Sequence, residues 1–252
     1  MTDQDPLAGP AQVQARRWWR RPWVVPLAFI AAFFIAFSLP PYLAFDSSKS
    51  RVPPPPGLGW YYGLLSFHVV LASIAMITCV FQIWPWFRQR HLNAHRILGR
   101  LYVFAGVLPA GICALILAVV SPLGPAAKAS TLIMAPLWLT FTVVAYRMVR
   151  QKRIVEHRRW MIRSFALTMS IITNRVWGGV MTAILQPDLD TRFHGDATVM
   201  GYSISGVATW AGWVVPLLIA EWWLERGDMA KHRARAQRRK ATAQPQTPAT
   251  TR

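Results

Sequence analysis

Residues able to do chemistry concentrate in two short stretches. HLNAHRILGR (His91 to Arg100) sets two histidines and two arginines directly before a long apolar run. EHRRWMIRS (Glu156 to Ser164) repeats the His-Arg pair at the mouth of another run. Asn93 is placed to cap a helix, which would put His95 in its first turn, and His157 sits similarly. A helix N-terminus and neighbouring arginines both disfavour protonation, so the two imidazoles are expected to be neutral at pH 7. Neutral imidazole is the form that a haem iron or other metal takes. Arg100 and Arg163 would suit haem propionates, phosphate or a lipid headgroup. The competing reading is that His95 and His157 only cap their helices and lie against lipid phosphates, and the sequence favours that one.

A second set of polar residues lies inside the apolar runs. His68 and Gln82 share a helical stripe with Ala75 and Cys79, at steps of 7, 4 and 3 residues. Arg163, Ser170 and Asn174 fall on one stripe of a later run, and Ser164, Thr168 and Arg175 on the next. A charge at the centre of a bilayer costs at least ~2.5–3.5 kcal/mol, so these faces should point at protein. At about 1.5 Å per residue, His68 lies roughly 12 Å and Arg175 roughly 15 Å from the outer ends of their runs, a similar depth. They are read either as a polar cluster that locks helix packing or as a cavity for a ligand or proton path. In a cavity, with no carboxylate nearby, something anionic or carbonyl-rich would be the third party. Glu221 and Glu225, beside Trp222 and Trp223, are expected to reach out to the inner interface.

The chemistry that is missing narrows the field. GxSxG, HExxH and a Gly-rich phosphate loop are absent, so no catalytic set is assigned. Cys79 and Cys113 lie in different apolar runs at different depths, which argues against a disulfide or a CxxC metal site and makes them small apolar fillers. No metal ligand set is expected.

These residues need elements to position them. The chain has 252 residues, 54% hydrophobic, yet a net charge of +18. A soluble domain rarely combines the two, whereas a membrane protein gathers its charges in loops on one side. The basic residues lie between apolar runs instead of along a folded face, so nucleic acid is not an expected partner. Six runs reach the roughly 20 residues that a spanning helix needs, at about 23–45, 60–87, 97–120, 129–149, 160–185 and 199–224. Each is edged by Trp or Tyr, as in an interfacial aromatic belt. With both termini inside, about 23 of the 28 basic residues fall on the cytoplasmic side, four outside, and Arg175 within a run.

The expected fold is therefore all-α: a polytopic membrane protein of six transmembrane helices with a central four-helix bundle and both termini cytoplasmic. Residues 1–22 form a basic cytoplasmic segment, 23–225 the transmembrane domain, and 226–252 a basic, disordered cytoplasmic tail. The first run lacks an A-x-A cleavage pattern and reads as a retained helix. RVPPPPGLG after it reads as extended polyproline. Runs two and three, and runs four and five, form two hairpins with equivalent His-Arg turns, a weak internal echo.

The pattern FH (Phe67-His68), FQ (Phe81-Gln82), HRxxGRxY (His95 to Tyr102), LW (Leu137-Trp138), AYR (Ala145 to Arg147) and HRRWMIRS (His157 to Ser164), with Arg175, resembles a known family. It is the bacterial predicted-membrane-protein family catalogued as domain of unknown function 2306. The resemblance covers about residues 60–185 and implies an integral membrane protein without specifying an activity. It singles out His68, Gln82, His95, Gly99, Arg100, Trp138, Tyr146, His157, Trp160, Arg163 and Arg175. A looser similarity links the chain to transmembrane b-type cytochromes, four-helix cores that clamp haems between histidine pairs. The chain departs from that pattern, because only His68 lies well inside a run.

Three functions follow as expectations. The first is a non-enzymatic accessory, sensor or lipid- and partner-binding protein of the bacterial inner membrane, in contact with the bilayer and anionic headgroups on its cytoplasmic face. The second is an oxidoreductase or electron carrier with haem b or quinone at His95 and His157. The third is a small-molecule or proton transporter using His68 and Arg175, with Gln82, Asn174, Trp138 and Tyr146 as the surrounding polar cluster.

Overall fold

The computed structural model describes residues 23–44 and 46–243, with side chains as far as Met229. All regular elements among the described residues are helical. The long ones are α1 (Val24–Ser38), α2 (Trp60–Ile83), α3 (Leu92–Val119), α4 (Pro125–Arg150), α5 (Ile154–Thr168), α6 (Ser170–Leu185) and α7 (Ala197–Ala243).

Each apolar run becomes a helix, because side chains without polar groups leave the backbone to satisfy itself. Four helices are long and apolar enough to cross a membrane: α2, α3, α4 and the Ala197–Met229 part of α7. The other two runs depart from the expectation of single long helices. α1 stops at Ser38, and Pro40 and Pro41 open a separate short helix, Pro40–Leu43, since proline cannot carry the ladder on. The fifth run divides at Met169. There the Thr168 hydroxyl donates to the Ser164 carbonyl at 2.9 Å, a back-bond that bends helices. The tail expected to be disordered from 226 is helical through Ala243; residues 1–22 and 244–252 lie outside the described residues.

α2 packs on α1 and α3, α4 joins α3 to α5, and α7 covers α4, α5 and α6. Close approach uses small residues. A Cβ added to Gly106 of α3 would lie 2.8 Å from the Cβ of Ala75 on α2, and one on Gly212 of α7 would lie 2.8 Å from that of Asn174 on α6. Inside α3, residues Leu101–Val107 widen into a π-helical segment. Tyr102, in that segment, is fully buried, as are Val107, Thr142 and Ser164. Cys79 and Cys113 are buried free thiols.

Candidate functional site

The second His-Arg turn is built by a tight αα-hairpin. α4 ends with Lys152 in the left-handed region (φ 61°), and the Arg153 N–H donates to the Met148 carbonyl at 2.9 Å while that of Lys152 donates to Val149 at 3.0 Å. This Schellman closure satisfies the terminal carbonyls and lets α5 begin at Ile154. His157 then sits in the first turn of α5, facing back on α4, where its Nδ1 bonds the Ala145 carbonyl at 2.8 Å. A carbonyl only accepts, so Nδ1 carries the proton and the Nε2 lone pair stays free. Burial holds the His157 pKa below the usual imidazole value, aided by the Arg88 charge and outweighing the Ala145 hydrogen bond. Neutrality was the expectation from the sequence.

The first turn differs. α3 begins at Leu92, with His91 in the capping position and no side-chain cap, so Asn93 does not cap as expected but lies within the first turn. Trp84 and Pro85 start the short helix Pro85–Arg90 that leads into it. Gln82 reaches from the end of α2 and donates to the His95 carbonyl at 2.8 Å, which fixes the turn through its backbone. The His95 Nδ1 is buried without a hydrogen-bond partner. The Arg88 charge acts on both His95 and His157.

The arginines that follow the histidines also separate. Arg163 is held by Glu221 of α7 through Nε to Oε1 at 2.5 Å and Nη2 to Oε2 at 2.8 Å, with its guanidinium 4.7 Å from the Trp160 ring centroid. Glu221, expected at the inner interface, is partly exposed and serves Arg163 as a counter-ion. Arg159 pairs likewise with Asp228. Arg100 is exposed and makes no hydrogen bond or ion pair with a described residue. It lies over a shallow groove of about 340 Å³ lined by Ile97, Leu101, Phe104 and Ala105.

Deeper in the bundle, five side chains close a ring. The Trp138 Nε1–H donates to Thr168 Oγ1 at 3.0 Å, Thr168 lies 2.7 Å from the Tyr102 hydroxyl, and Tyr102 lies 2.5 Å from Ser164 Oγ. Ser164 lies 2.6 Å from Thr142 Oγ1, which donates to the Trp138 carbonyl at 2.8 Å. With the Thr168 hydroxyl donating to the Ser164 carbonyl, Tyr102 donates to Thr168, Ser164 to Tyr102, and Thr142 to Ser164 or to the Trp138 carbonyl, so each N–H and O–H is spent once. Such a closed network joins α3, α4 and α5 and leaves no donor over for a ligand. Sequence reasoning found Ser164 and Thr168 by their stripe and Trp138 by resemblance. It missed the roles of Tyr102 and Thr142, whose signal was a polar residue inside an apolar run.

The remaining expected residues divide. His68 Nδ1 bonds the Ala110 carbonyl of α3 at 2.9 Å. Tyr146 packs edge-on against Phe104, ring centroids 5.1 Å apart. Asn174 backs onto Gly212 at the α6–α7 contact. Arg175 is exposed on α6 and makes no hydrogen bond with His68, whose Nδ1 is taken by Ala110. No group of three or more His, Cys, Asp or Glu able to hold a metal occurs among the described residues.

A family model described as "Predicted membrane protein (DUF2306)" matches residues 65–224, more than half of the chain. No curated protein and no solved structure matches.

Proposed function

With the chain's membership of the DUF2306 family of predicted membrane proteins as premise, we propose a six-crossing protein of the bacterial inner membrane with both ends cytoplasmic. In this reading it has no catalytic set and acts as an accessory, sensing or lipid- and partner-binding protein whose arginine-rich inner face holds anionic headgroups. One observation carries it: Arg100, exposed and unpaired, stands over an apolar groove on the outer side of α3. A guanidinium beside such a groove suits a phosphate with an acyl chain attached. Arg96, Arg147 and Arg150 are exposed at the same end and add to the attraction. The polar residues of the interior support the non-enzymatic part, since the ring through Tyr102, the His68 bond to Ala110 and the Gln82 bond to His95 are all spent on packing.

The test is retention of labelled phosphatidylglycerol by the full-length protein in nanodiscs that also contain phosphatidylcholine. Arg100→Gln should lower anionic lipid retention about tenfold, the value of one charge-assisted contact. Unchanged retention, or a stoichiometric redox cofactor in the purified protein, would overturn the reading.

A second reading, a haem- or quinone-bearing electron carrier, draws on the imidazoles of the two turns. His157 fits a haem ligand, with Nδ1–H bonded to a carbonyl and Nε2 free. His95 does not meet that pattern, because its buried Nδ1 has no such support. An absorption spectrum of the purified protein from haem-replete cells separates the two readings: a colourless, folded preparation removes the haem one.

A further inference from the structure

We propose that Arg100 of α3 and Arg150 of α4 together clasp a lipid that carries two phosphates, of the cardiolipin class, where the cleft between the two helices opens beside the His-Arg turns. The proposal rests on the reading above, in which Arg100 holds an anionic headgroup, and adds the second arginine and the kind of lipid.

The register of the two helices brings the arginines to one level. α3 and α4 are joined by the short link 120–124 and run antiparallel. Phe104 of α3 meets Tyr146 of α4 edge-on, ring centroids 5.1 Å apart. From that pair, four residues back along α3 lead to Arg100, and four residues on along α4 lead to Arg150. Each step is about one helical turn along one face, and on antiparallel helices both go the same way. The groove bears out the first step, since Arg100 and Phe104 line it together. α4 packs on α3 along the π-helical segment and Leu108–Val119, and much less on Leu92–Arg100. The cleft therefore widens where the arginines stand. Packed helices lie about 8–10 Å apart, a gap that two arginine side chains can share from opposite walls.

Neither guanidinium is spent. Arg100 and Arg150 are exposed and make no hydrogen bond or ion pair with a described residue. In this they differ from Arg153, Arg159 and Arg163, which pair with Glu156, Asp228 and Glu221. Neither α3 nor α4 contains an acidic residue, so no carboxylate of these helices neutralises the pair. Arg96, one turn before Arg100 on the same stripe, is exposed too and adds to the positive charge. Each guanidinium fork takes phosphate oxygens two at a time, so two forks on two helices suit two phosphates of one headgroup. Basic pockets between helices near the membrane surface are general sites for such lipids. Next to Arg100, the groove lined by Ile97, Leu101, Phe104 and Ala105 offers an acyl chain an apolar bed.

The experiment compares retention of labelled cardiolipin and labelled phosphatidylglycerol, at equal phosphate, by full-length protein in phosphatidylcholine nanodiscs. Wild type should retain cardiolipin about tenfold more strongly, the worth of a second charge-assisted contact. Arg150→Gln should remove that preference and leave phosphatidylglycerol retention unchanged, whereas Arg100→Gln should lower both. Both side chains are exposed, so the variants should unfold with the wild-type midpoint. Arg90→Gln removes an exposed charge from the short helix Pro85–Arg90 instead, and should leave the preference intact. Equal retention of the two lipids in wild type, a preference that survives Arg150→Gln, or an equal loss in Arg90→Gln overturns the clasp. If Arg100→Gln still lowers phosphatidylglycerol retention in that event, the headgroup reading stands without the clasp; if it does not, that reading falls as well.

Discussion

The two His-Arg turns are written in nearly the same letters and built in opposite ways. In the second, His157 is pinned to the Ala145 carbonyl and Arg163 is clamped by Glu221. In the first, the His95 Nδ1 has no partner, Arg100 has none among the described residues, and Gln82 holds the turn through the His95 carbonyl. One turn is closed and structural, the other keeps its polar atoms in reserve. A shared motif therefore fixes placement at a helix entrance, while the facing helix decides whether the side chains are committed.

The contrast can be broken most forcefully at the arginines. Glu221→Gln should destabilise the folded protein by about 1–3 kcal/mol, because it strands a half-buried guanidinium, with the partial exposure of Glu221 drawing the value down. Arg100→Gln should change stability by less than about 0.5 kcal/mol, as a substitution without a partner does. Denaturant unfolding in detergent measures both, and equal losses would show that the turns are alike after all. The histidines give a smaller difference. His157→Ala should cost about 1–2 kcal/mol for a lost hydrogen bond and the carbonyl it leaves behind, and His95→Ala should cost about 0.5 kcal/mol or less. A larger loss at His95 would reveal a partner for its Nδ1.

The finest distinction is in pH. The His157 pKa is lowered in the folded state from an ordinary 6.5, so the unfolded chain takes up a proton first as pH falls. Stability should accordingly be full above that value and decline as pH drops below it toward the folded pKa. Unfolding midpoints measured from pH 7.5 to 5 should slope downward in wild type, and His157→Gln should flatten part of that slope. An unaltered slope would remove His157 from the titration.

Much of this was legible in the chain. The apolar runs announced the helices, and the Ser164/Thr168 stripe announced a buried polar face. The doubled His-Arg motif marked two helix entrances, at Leu92 and at Ile154. What stayed hidden depended on distance along the chain. Glu221 finds Arg163 across 58 positions, and nothing local marks it as a counter-ion instead of an interfacial acid. The division at Met169 arises from a hydroxyl back-bond inside a run that is uniformly helix-compatible in composition. Arg175 was matched by depth with His68, but depth along two helices does not say which faces meet, and the His68 ring turns to the Ala110 carbonyl of α3.

The widened segment Leu101–Val107 acts as a phase joint within α3. Ahead of it the helix presents the Gln82-bound turn, and beyond it Ala110 faces His68 and Gly111 lies against Leu139. Each residue of a helix represents about 100° of rotation. Losing one residue from the joint would swing everything downstream by that angle, taking the Ala110 carbonyl off His68 while the Gln82-bound turn stayed in place. The two ends of α3 are thus indexed independently, and a single insertion or deletion at Leu101–Val107 could re-aim one half of the bundle without rewriting the other.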